Sequence, residues 1–125
     1  MPGQQRGSAW SQLDATLQEA ELALTAGRLD RAEELFLERL GAEPSDALAA
    51  VGLAQVALER GDEPRALELG RWALWLDPAE DQAVRFVSRL EEVMRYRGEE
   101  PPPTTSTLPH GLPAPGEVAA DTEEP

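Results

Sequence analysis

His110 is the one side chain in this sequence that ordinarily titrates near neutral pH, and as a general base it would need a rigid neighbourhood to aim it at a proton. It falls instead in a run of prolines and acids, where nothing would position it. Adjacent carboxylates are the next candidates. Glu33-Glu34 and Glu91-Glu92 would serve acid–base chemistry or hold a divalent cation if their oxygens converged. Both pairs lie in helical segments, where consecutive side chains point about 100° apart and form no such cluster. With no cysteine there is no thiol nucleophile, disulfide or thiolate metal site. The hydroxyls of TTST at 104–107 can be modified, yet the composition of a linker accounts for them equally well. These residues predict no enzyme, no cofactor and no metal site, so function must rest on surfaces and on the elements that build them.

Those elements recur. Gly27 and Gly61, Ala32 and Ala66, and Pro44 and Pro78 are each 34 residues apart, a period that marks a helical repeat. At the same offset Arg31, Glu34, Leu35 and Leu40 match Arg65, Glu68, Leu69 and Leu74. Glycine can take the left-handed conformation that closes a tight turn after one helix. Alanine lets two helices approach, and proline ends the next helix and opens a new connection. One repeat therefore reads helix, turn, helix, turn. The pattern predicts five helices, at about 11–26, 29–42, 46–60, 63–76 and 79–96. Ser45 is the expected N-cap of the third, and Pro64 fits the opening turn of the fourth.

This pattern resembles the tetratricopeptide repeat family over roughly residues 13–96. The second repeat carries Leu53 and Ala54 at the large and small packing positions of its first helix. Gly61 and Asp62 follow in the turn, then Ala66, Ala73, Leu74, Asp77 and Pro78. The first repeat keeps Ala20, Gly27, Ala32, Phe36 and Pro44, but has Glu19 where the family prefers a large apolar residue. Neither has the usual aromatic at the start of its first helix, and Ala50 stands there in the second. The resemblance implies an all-α fold, with two tetratricopeptide-like helix-turn-helix repeats plus a C-terminal capping helix in a right-handed superhelical array. Val84, Phe86, Val87, Leu90 and Met94 give the capping helix its apolar face.

Composition bounds the rest. Residues 1–10 read as a flexible lead-in and 11–97 as one helical domain, large enough for a modest core. From Gly98 onward, seven prolines and six acids without a base predict a disordered, acidic, proline-rich tail over 98–125. All 11 basic residues are arginine against 24 acids, and the net charge of −13 repels phosphate backbones and anionic membranes. Nucleic acid and membrane are therefore not expected partners. No stretch approaches the apolar length of a membrane span, and the N-terminus lacks an apolar run, so a cytoplasmic location is the default.

In the family, the first helix of each hairpin lines a concave groove. Carried over residue by residue, that face presents Asp14, Leu17, Glu21 and Leu24, then Leu48, Val51, Gln55 and Leu58. Gln82, Arg85 and Arg89 of the capping helix continue it. A groove apolar in the middle, acidic on one side and basic on the other suits a peptide or amphipathic helix of a partner protein. The alternative is that these leucines pack against neighbouring helices, and that Asp81 and Glu92 neutralise Arg85 and Arg89. The carboxylate clamp of one family subgroup would fall on Leu17, Glu21 and Gly52, none of which can donate to a carboxylate. Trp72 and Trp75 form the other candidate. Ala66, Gly70 and Ala73 already supply the packing face of their helix, so both indoles should be partly exposed, as binding hot spots often are. Otherwise Trp75 would pack on the capping helix and Trp72 under the tail. The expected function is a protein-interaction adaptor or scaffold using the groove, the tryptophan face or both. The competing reading is a structural subunit that forms a homodimer or part of a larger complex through Trp72 and Trp75.

Overall fold

The computed structural model of the chain describes residues 15–104, 109 and 112, and among these it is all-α, with five helices and no strand. The first helix, α1, covers 15–25. It is followed by α2 (Leu29–Ala42), α3 (Ala47–Glu59), α4 (Glu63–Leu76) and α5 (Asp81–Tyr96). The lead-in over 1–10, Asp14, His110 and most of the tail lie outside the described residues.

Two kinds of connection alternate, and each has a local cause. Gly27 and Gly61 adopt φ of 78° and 83°, a region in which a Cβ is strained. At Gly27 the glycine N–H donates to the Leu24 carbonyl and the Arg28 N–H to that of Ala23, at 3.0 and 2.8 Å. Gly61 and Asp62 repeat both bonds to Leu58 and Ala57 at 2.9 Å each, the paired bonds of a Schellman turn. The second connection places proline after the last helical carbonyls. Asp46 N–H donates to the Glu43 carbonyl across Pro44 at 3.0 Å, and Glu80 N–H to that of Asp77 across Pro78 at 3.1 Å. The sequence period is thus also a period of backbone hydrogen bonds.

Carboxylates cap α3, α4 and α5. Asp46 accepts from the Ala49 N–H at 3.2 Å to start α3, and Asp62 from that of Arg65 at 3.1 Å to start α4. Ser45 is not the cap expected of it. Its hydroxyl donates to Glu43 at 3.1 Å, because α3 begins at Ala47 and Asp46 stands one residue nearer its free amides. Pro64 sits in the first turn of α4, where its missing N–H costs nothing.

α3 is the axis of the packing, since α2, α4 and α5 all lie against it. It is apolar on every side, and Ala49, Ala50, Gly52, Ala54 and Ala57 are small enough to admit three neighbours closely. Phe36, Leu40, Val51, Val56 and Leu67 are the largest fully buried side chains, each contributing about 1.5–3 kcal/mol by burial. Around this core, ion pairs join successive helices: Arg31 to Glu19 at 3.0 Å, Arg60 to Asp30 at 2.6 Å and to Glu33 at 3.2 Å, and Arg71 to Glu91 at 2.8 Å. The first explains why Glu19 is tolerated: it is exposed and pairs with α2 instead of entering the core. The Arg31 and Arg60 pairs are exposed and add little stability, whereas the Arg71–Glu91 pair is part-buried. None of the described helices is long and apolar enough to cross a membrane.

Candidate functional site

Of the residues that the resemblance assigns to a groove, Glu21, Gln82, Arg85 and Arg89 are exposed, while Leu17, Leu24, Leu48, Gln55 and Leu58 are half-buried. Leu17, Leu24 and Leu58 pack against the main core. Val51 is not on an open surface. At 1 % exposure it is enclosed in a second cluster with Ala47, Ala50, Ala73 and Ala83, whose short side chains let α4 and α5 close over it. The apolar centre of this face is therefore shallower than the spacing predicts. Arg85 and Arg89 form no ion pair among the described residues, so Asp81 and Glu92 do not neutralise them. Among the described residues they are two unpaired cations one turn apart on α5.

Trp72 and Trp75 come together. Their rings stack, with centroids 4.8 Å apart and planes 8° from parallel. Trp72 is half-buried and packs against both core clusters, whereas Trp75 is 63 % exposed. The inner indole thus anchors the outer one, and the unshared face of Trp75 is left to solvent.

A third surface has no counterpart in the sequence reading. Part of the tail is packed on the helices. Arg71 donates to the Glu91 carboxylate through Nη2 and Nε, at 2.8 and 3.2 Å, and through Nη1 to the carbonyl of Pro102. Pro101 and Pro109 are buried, and Leu112 is only 8 % exposed within the main core cluster. These positions belong to the stretch that the sequence assigns to a tail over 98–125. Prolines have little backbone freedom to lose on docking, and Leu112 is an apolar side chain with a place to go. Leu112 forms one wall of a cavity of about 510 Å³ between α2, α3 and α4. Leu37, Leu53, Val56 and Leu69 supply its apolar lining, and Glu33, Arg60, Asp62 and Arg65 a border of both charges. On α3, Leu53 and Val56 point away from Leu48 and Gln55, so this cavity is opposite the face that the sequence nominates. The signal in the sequence is faint: Leu108 and Leu112 are the two leucines of an otherwise polar and proline-rich stretch.

Among the described residues, no three of His, Cys, Asp and Glu converge as metal ligands. Comparisons of the chain with family models, with curated proteins and with solved structures gave no match in any of the three.

Proposed function

We propose that the chain is a protein-interaction adaptor or scaffold, a tetratricopeptide-like array of two helical hairpins and a capping helix wound as a right-handed superhelix. The recurrence of both kinds of connection at one period supports the array. The function is carried by one observation: a parallel tryptophan stack whose outer ring is 63 % exposed. Indoles bury on the order of 150–250 Å² each when covered, and they are enriched at the centres of protein interfaces. The partner is a peptide or amphipathic helix that lays an apolar side chain on Trp75. An acidic group of a ligand on the neighbouring face would find Arg85 and Arg89 unpaired. Net charge of −13 argues against nucleic acid or an anionic membrane as the partner.

The test is affinity capture by the full chain from its native cell extract, comparing wild type with Trp75→Ala and with Arg85→Ala/Arg89→Ala. All these side chains are exposed, so the variants keep the core, whereas Val51→Glu would place a charge in it. Loss of one specific partner in Trp75→Ala supports the reading, and identical capture by all three proteins removes both surfaces. The same stack would also serve a second copy of the chain. Light scattering separates that structural reading: a mass that grows with concentration in wild type but not in Trp75→Ala assigns the face to self-association.

A further inference from the structure

We propose that the partner segment meeting Trp75 is basic, and that it sets an arginine at the C-terminal end of α4, beside the apolar residue that lies on the indole. The inference rests on the adaptor reading and adds to it the charge and the residue type that this surface selects.

The first repeat shows what the second one lacks. In the α2–α3 connection Arg39 pairs with Asp46, the cap of α3. Thirty-four residues on, Glu80 keeps the capping role through the Gln82 N–H, but Ala73 stands in place of the arginine. α4 has no basic residue in its last turn, whereas α2 has Arg39 and α5 has Arg95. The connection that follows α4 is nevertheless acidic. Asp77 and Asp81 are exposed and, like Glu80, form no ion pair among the described residues. The free carbonyls that end a helix and these carboxylates both favour a cation. Arg71, one turn before Trp75, does not supply it, because Glu91 and the Pro102 carbonyl already take its guanidinium. Trp75 belongs to that same last turn, backed by Trp72 and open on its other side. Tryptophan attracts a cation more strongly than the other aromatic side chains, and a planar guanidinium stacks on its face as an ammonium does not. The stem of an arginine also covers apolar surface while its head stays with the carboxylates. The whole molecule favours the same sign: a net charge of −13 draws a basic segment and repels a second copy of this chain.

The experiment titrates labelled synthetic peptides with the full chain and reads fluorescence anisotropy. One peptide alternates leucine with arginine, and matched peptides carry lysine, uncharged citrulline or glutamate in place of the arginine. The arginine peptide should bind wild type about tenfold more tightly than the citrulline and glutamate peptides, with lysine between them. Trp75→Ala should remove that preference. Asp77→Asn/Asp81→Asn, in which residue 77 keeps an oxygen for the Ala79 N–H, should weaken the arginine peptide about threefold. Glu38→Gln/Glu59→Gln removes the same charge from exposed acids of α2 and α3 and should leave binding unchanged. Equal binding of the arginine and citrulline peptides, with both lost in Trp75→Ala, would leave the tryptophan surface standing and overturn this inference. Equal weakening by the two pairs of carboxylate substitutions would overturn it as well, and so would failure of the arginine peptide to bind wild type. A wild-type dimer in light scattering that Arg85→Ala/Arg89→Ala dissolves would also do so, since the cation would then come from a second copy.

Discussion

The ring of Phe36 on α2 lies over Gly52 on α3, so close that a Cβ at residue 52 would collide with it. Thirty-four positions along, the two sizes are exchanged: Gly70 on α4 lies beneath Phe86 on α5, where a Cβ would approach the ring to 3.0 Å. Each even-numbered helix therefore meets the following odd-numbered one through one aromatic and one glycine, with the helix that contributes each reversed. Cores tolerate such exchange because the summed volume at the contact is kept.

Gly52→Ala should destabilise the fold by about 1–3 kcal/mol through overpacking, because Phe36 is fully buried and cannot turn aside. The gain of up to about 1 kcal/mol in helix propensity does not offset it. Gly70→Ala should cost less than Gly52→Ala, since its Cβ would meet a Val87 methyl at 2.9 Å and the yielding, half-buried Phe86 ring at 3.0 Å, and the propensity gain offsets part of that strain. Urea unfolding of both variants checks the order, and a reversed order would sink the packing account.

Asp46 and Asp62 occupy equivalent caps but carry different burdens. Asp46 also pairs with Arg39 across the α2–α3 connection, in a site where the two side chains are 9 % and 14 % exposed, and Arg39 Nη1 already lacks a partner. Asp46→Ala should cost about 3–5 kcal/mol by stranding a buried guanidinium. Asp62→Ala should cost about 1 kcal/mol, the value of a cap alone. Asp46→Asn, which keeps an accepting oxygen for Ala49, should fall between them in chemical denaturation.

Arg97, at the end of α5, donates to Glu63 in the first turn of α4, with Nη1 at 3.2 Å from Oε2. This hydrogen bond holds the Glu63 carboxyl below the usual carboxylate range. A depressed folded-state pKa contributes stability above the unfolded value of about 4.3 and loses it as pH falls through the folded value. Between about pH 5 and pH 3, the thermal midpoint of wild type should therefore fall more steeply than that of Glu63→Gln. Parallel curves would mean that the contact does not survive in solution.

Much of this architecture is legible in the sequence because it is fixed locally. Gly27, Gly61, Pro44 and Pro78 each dictate a turn through their own backbone, and α2 and α4 span the residues that the period assigns them. The start of α5 is displaced from the expected residue 79 to Asp81, since the turn across Pro78 holds Ala79 out of the helix and the Glu80 carboxylate caps it through the Gln82 N–H. What is decided at long range is illegible. Val51 has the spacing of a groove residue, and its burial depends on Ala73 and Ala83 in other helices. Leu112 sits in a composition that reads as unfolded chain, and its seat is assembled from three helices far back in the sequence. The tryptophan pair is intermediate: the spacing of residues 72 and 75 places both on one side of α4, but only the packed Trp72 shows which ring is anchored and which is open.

That asymmetry yields a separation of stability from recognition. Trp72 touches both core clusters, so Trp72→Ala removes packing from each and should destabilise by about 2–4 kcal/mol, toward the lower end of core aromatic truncations. Trp75 is 63 % exposed and loses little on truncation beyond its stacking on Trp72, so Trp75→Ala should cost about 0.5–1.5 kcal/mol. Unfolding monitored by far-ultraviolet circular dichroism, which does not depend on the indoles removed, measures both values. Steady-state quenching by acrylamide in a Trp10→Phe background, where the pair supplies the whole indole signal, is the independent check: Trp72→Ala leaves Trp75 without its shielding neighbour and should raise the accessible fraction, whereas Trp75→Ala should uncover one face of a ring whose other face remains in the core. If the two substitutions prove equally costly, Trp75 is packed rather than open, and the tryptophan face loses its claim as the surface a partner meets.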